Sequence, residues 1–168
     1  MKEIGNHAYL IGYIISNAFA LVLLFFAVIY PRVARILFFL LFAFASWINW
    51  KTALQSPQDY VRISDLALFV YRPFITGWFS KHVLYVVGFI ATAQCFIAVS
   101  LLFKGWMYRT AVIGAIVFLL AIMPLGIASA FPSTLIMAYA MGWLLKQKAD
   151  YVWLFGEILP KKYGITVI

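Results

Sequence analysis

Residues 8–30 read AYLIGYIISNAFALVLLFFAVIY, without one Asp, Glu, Lys or Arg. As an α-helix rising about 1.5 Å per residue, this run is long enough to cross a hydrocarbon layer of about 30 Å. It is too long for the apolar core of a signal peptide, and the triplet Ala18-Phe19-Ala20 lies inside the run rather than after it. The stretch therefore reads as a retained transmembrane helix, ended by Pro31 and Arg32.

The remaining sequence extends that pattern. Of 168 residues, 66% are hydrophobic and 11% charged, against about 25% charged in soluble domains. So much apolar side chain needs hydrocarbon as its solvent. Further apolar runs predict spans at about 33–50, 82–103, 109–125 and 133–147. Trp47, Trp50, Lys51 and Trp78 suit the headgroup region. The expected fold is a single all-α integral membrane domain, a compact bundle of about five transmembrane helices. The last two spans are short, so four spans and a re-entrant hairpin is the alternative. The tail 148–168, with Lys161 and Lys162, reads as an interfacial segment.

Between the second and third runs lies the main extramembrane stretch. Ser56-Pro57-Gln58-Asp59 reads as a helix start, with Ser56 capping and Pro57 in the first turn. Arg62, Asp65, Phe69 and Arg72 follow at spacings of three and four, which predicts an interfacial amphipathic helix over 57–72 that ends at Pro73. Arg62 and Asp65 would pair at i,i+3. With flanking Tyr60 and Tyr71, this face could hold an anionic headgroup or the polar end of a lipid-like ligand. A solvated face is the plainer reading of the same residues.

The net charge is +8. Its carriers are scattered over short turns and the tail, which suits topology control and anionic lipid and leaves no basic groove for nucleic acid. With five spans, eight of the 13 Lys and Arg fall on the side of the C-terminus. That favours the N-terminus outside and the C-terminus in the cytoplasm, in a bacterial inner membrane.

Polar side chains within the spans mark the remaining candidates. Asn17 and Gln94 could line a ligand pocket or join helices by hydrogen bonds. His7 and His82, near span ends, are the candidates for meeting a haem or quinone; otherwise they are solvated. Cys95, the single cysteine, reads as a small buried packing residue and excludes two-thiol chemistry within the chain. The spans lack central ionisable groups, which argues against ion-coupled transport. No catalytic residue and no metal site is apparent, and no cofactor is required. Small residues four apart, at Ala111 and Ala115, Gly126 and Ala130, and Ala138 and Gly142, predict close helix contacts within the chain, in a homo-oligomer or with partner subunits.

From Arg35 to about Lys146, the order of features resembles the DoxX-like membrane proteins. The resemblance rests on an Arg-led helix (Arg35-Ile36-Leu37-Phe38-Phe39), a Pro-containing amphipathic loop, a helix ending in a basic Gly turn (Leu101 to Arg109), then a Gly/Ala-rich helix and a short last one. It covers about two-thirds of the chain and makes the first helix an N-terminal addition. It implies a link to quinone-coupled redox complexes. The sequence departs at Ser46-Trp47-Ile48-Asn49-Trp50-Lys51 and at Thr92-Ala93-Gln94, where the family often has Gly with Lys and an acidic residue. Three functions follow as expectations: a non-catalytic accessory subunit or assembly factor of a membrane complex, a binder of a lipid, quinone or other hydrophobic molecule beneath the amphipathic helix, or a small membrane enzyme acting on such a molecule.

Overall fold

The computed structural model describes residues 2–62, 69 and 72–147, with the side chains of 2–9, 127 and 128 left aside. Seven α-helices are present among these residues, with no strand: α1 (Lys2–Ile29), α2 (Pro31–Gln55), α3 (Gln58–Arg62), α4 (Arg72–Phe74), α5 (Ser80–Ser100), α6 (Gly105–Ile122) and α7 (Ser133–Leu145). Four helical stretches are long and apolar enough to cross a membrane: Leu10–Ile29, Pro31–Gln55, Arg72–Ser100 and Gly105–Gly126. Helix α7 is apolar but shorter, at 13 residues.

The helices close into a ring. α2 packs on α5 and α1, α1 on α7, α7 on α6, and α6 on α5. Pro31 at the first position of α2, where its missing N–H costs nothing, lets that helix start one residue after α1 ends. Gly105, at φ +68°, opens α6 after the four-residue turn 101–104, a conformation open to glycine at little cost. Small and aromatic side chains share the centre of the ring: Ala27, Ala34, Phe38, Ala98, Ala115 and Met141 are all buried. The small residues let helix backbones approach closely, and the aromatics fill the space between them.

Several boundaries differ from expectation. Most of the helix expected over 57–72 lies outside the described residues: α3 covers Gln58–Arg62, and Phe69 stands in a turn. Pro73 does not end a helix: Arg72–Phe74 is helical, and the helical backbone continues beyond it. From Arg72 the chain runs through a π-helical turn, Ile75–Phe79, into α5. Residues 75–78 are thus helical. Thr76 Oγ1 and Ser80 Oγ donate to the carbonyls four residues earlier, at 2.8 and 2.9 Å. Pro124 lies within a 3₁₀ segment, Met123–Ser129, that follows α6. Gly126 and Ala130 both have positive φ there, so this pair is no helix-packing step. Ala111 and Ala115 are buried inside the ring.

Candidate functional site

Two polar constellations tie the ring together, one at each end. At the first end, Arg35 sits one turn into α2 and is 3% exposed. Its guanidinium donates from Nε and Nη2 to the Leu101 carbonyl, at 3.0 and 2.8 Å, and from Nη2 to the Phe103 carbonyl. The last carbonyls of a helix have no partner within it, and the helix dipole makes them attractive to a cation. Arg35 therefore caps the end of α5. The same guanidinium lies over the Tyr108 ring at 4.1 Å. The Tyr108 hydroxyl in turn donates to the Leu144 carbonyl of α7, at 2.7 Å. One arginine and one tyrosine thereby fasten the start of α2, the end of α5, the start of α6 and the end of α7.

At the second end the groups are neutral. Tyr60 on α3 donates its hydroxyl to Asn49 Oδ1, at 2.7 Å. Asn49 Nδ2 donates to Gln94 Oε1, also at 2.7 Å. The chain of bonds leads from the surface helix to Gln94, which is buried on α5. Nearby, Ser46 donates to the Ala91 carbonyl at 2.7 Å, a second bridge from α2 to α5. The floor beneath α3 is apolar and filled by Ala53, Val83 and Val87, with Tyr60, Val61 and Phe79 packed on them. Trp50 lies flat against Gly88, where an added Cβ would stand 3.1 Å from the indole. Burial pushes the Tyr60 phenol above its ordinary 10.0, and a hydrogen bond with Thr52 partly offsets this.

The candidates named from sequence fall in different places. Tyr60 and Gln94 are brought together through Asn49. Asn17 is not part of that network: its Nδ2 donates back to the Tyr13 carbonyl at 2.9 Å, within α1. Arg62 is exposed and paired with Asp59 at 3.1 Å. Asp65 and Tyr71 lie outside the described residues, as does the side chain of His7. Arg72 is exposed at the start of α4. His82 marks a kink, with φ −126° and ψ 19°, and its Nδ1 is 2.8 Å from the Trp78 carbonyl. Its ring stacks on Trp78 at 4.6 Å, and Trp78 stacks on Phe74 at 5.8 Å. Cys95 is exposed, contrary to its expected burial. Successive helical residues point about 100° apart, so a buried Gln94 turns its neighbour outward.

Sequence reasoning named Arg35 only as the residue leading a helix and missed its role. The signal was available: an arginine four residues after the proline that opens a helix is already within the apolar run, where a cation needs acceptors. Among the described residues no group of three or more His, Cys, Asp or Glu could hold a metal ion.

The long apolar helices and their closed ring define a multi-pass helical membrane protein. No protein-family model, curated protein or solved structure matches the chain.

Proposed function

We propose that this protein is a non-catalytic accessory subunit of a larger membrane assembly, which it joins through the N-terminal half of α1. One observation carries the proposal. Helix α1 has 28 residues and α7, packed beside it, has 13. At about 1.5 Å per residue these are roughly 42 and 20 Å long. The two run in the same direction, because Tyr108 joins the end of α7 to the end of the bundle where α1 meets α2. The first half of α1 therefore reaches past its neighbour. Leu10, Ile11, Ile14, Ile15 and Phe19 are all exposed there. Gly12 has open space at its Cβ position, and Ser16 follows four residues later. A small residue within a wide apolar surface lets a second transmembrane helix approach closely.

The polar groups that do lie deep support the same reading. Arg35, Ser46, Asn49 and Gln94 are spent on joining helices of this chain. In this reading α7 is a fifth, short span, the termini lie with the N-terminus outside, and the membrane is a bacterial inner membrane. The resemblance to DoxX-like proteins would make the assembly a respiratory or quinone-linked one.

The test is photocrosslinking with purification in mild detergent. A photoreactive phenylalanine at Ile15 is expected to capture a second membrane polypeptide, while one at Leu40, exposed on α2, is not. Purification as a lone monomer, with no crosslink at Ile15, would contradict the proposal.

A further inference from the structure

Hydroxyl side chains in apolar surroundings need an acceptor, and five of the partly exposed hydroxyls of this chain find it in the same way. Ser16, Thr76, Ser80, Thr92 and Thr110 each donate to the carbonyl four residues earlier, at 2.7–2.9 Å. Ser133 and Thr134 do not. They are 1% and 2% exposed, deeper than any of those five. Yet neither hydroxyl has a hydrogen-bond partner among the described residues; Ser100 Oγ, single and at the other end of the bundle, is the third buried hydroxyl in that state, and Ser133 and Thr134 are the adjacent pair. The cause lies in the backbone. Both residues stand in the first turn of α7, and the preceding chain, with Ala130 at φ 55°, is not helical. No carbonyl is presented four residues back in the direction a helix would give. A buried hydroxyl left without a partner costs on the order of 1–3 kcal/mol.

We propose that Ser133 and Thr134 form a binding site for a neutral, membrane-dissolved molecule that presents a carbonyl or ether oxygen to their hydroxyls. The start of a helix commonly attracts anions through free N–H groups. Here those of Ser133, Leu135 and Ile136 are already committed to the Ala130 and Pro132 carbonyls, at 2.9–3.1 Å. The two hydroxyls are therefore the main donors that the start of α7 holds in reserve. No Lys, Arg or His occurs between Arg109 and Lys146, so α6, α7 and their connection supply no cation to balance an anionic ligand. Exposed Phe131 and Leu135 beside the pair give the apolar surroundings that the hydrocarbon body of such a molecule needs. On α1, which packs beside α7, Asn17 Oδ1 is likewise buried without a partner among the described residues. The site is independent of the assembly role proposed above, since it uses the start of α7 and not the outer face of α1.

The experiment compares methyl undecyl ketone with tridecane, matched in chain length, on delipidated full-length protein in detergent. The ketone is expected to raise the melting temperature by several degrees more than the alkane. The isotope-labelled carbonyl stretch of the bound ketone is expected to move to lower wavenumber. S133A/T134V should abolish both differences while melting, without ligand, at or above the wild type. Three results would overturn the site: equal shifts with ketone and alkane, an unmoved carbonyl stretch in the wild type, or a ligand-free double variant that melts clearly below it. The infrared reading on the wild type stands even where the variant fails to fold.

Discussion

The Arg35 cluster and the start of α7, at opposite ends of this bundle, handle their buried polar groups differently. Around Arg35, hydrogen bonds satisfy the carbonyls that close α5, and the Tyr108 hydroxyl does the same for α7, while Ser100 Oγ and Trp143 Nε1 beside them are buried without a described partner. At the start of α7, two hydroxyls just as deeply buried have no described partner. In hydrocarbon there is no water to make up the difference. The first end is thus a fastening, where polarity is used to hold helices together. The second keeps hydrogen-bonding capacity in reserve, and that is where a ligand gains most.

The largest effect is expected at the fastening. Arg35→Met keeps the apolar stem but strips donors from two carbonyls, and hydrogen bonds to a charged group contribute about 1.5–3 kcal/mol each. Thermal unfolding in detergent should show a loss of about 2–4 kcal/mol, on that same scale. Arg35→Lys should recover only part, because an ammonium cannot reproduce the guanidinium's planar fork or its stacking on Tyr108. Retention of wild-type stability in Arg35→Met would break the contrast between the ends.

The neutral chain at the α3 end should be intermediate. Gln94→Leu leaves Asn49 Nδ2 without its acceptor, at a cost of about 1–2 kcal/mol. A double-mutant cycle with Tyr60→Phe should show coupling between the two, transmitted through Asn49. Tyr108→Phe, which removes one hydroxyl from a backbone carbonyl and keeps the ring under Arg35, should cost about 1 kcal/mol.

Tyr60 also gives a pH test. Its phenol is held above the ordinary 10.0 in the folded protein. The neutral form is thus favoured by folding. The stabilisation is complete below about pH 10, the unfolded value, and is lost as pH rises through the folded one. Unfolding monitored from pH 9 upward should show an alkaline loss of stability that Tyr60→Phe lessens. An identical alkaline limb in both proteins would show that Tyr60 is not buried as described.

Much of the architecture was legible in the sequence because hydropathy reports directly on the solvent. The run 8–30 and the clean interruption at Pro31 needed no tertiary information. The stretch after residue 71 was harder to read for a specific reason. Pro73 was taken as a stop, whereas helical backbone runs through it into the π-helical turn at Ile75–Phe79. Arg62 pairs with Asp59, a carboxylate three residues before it, while Asp65, three residues after it, lies outside the described residues. Arg35 escaped notice because its acceptors, Leu101 and Phe103, are 66 and 68 residues away. Spacing rules see neighbours on one helix, and a fastening between four helices has no local pattern. Ser133 and Thr134 were hidden for the opposite reason. A helix start rich in hydroxyls reads as ordinary capping, and only the backbone reveals that these two do not cap.

The contrast is tested most directly by melting Arg35→Met and S133A/T134V beside the wild type in one detergent without added ligand. The two changes should have opposite or clearly separated effects: a large loss for the first, and no loss or a gain for the second. A comparable fall in both would mean that the start of α7 is fastened like the Arg35 end, and the distinction between the two ends would be lost.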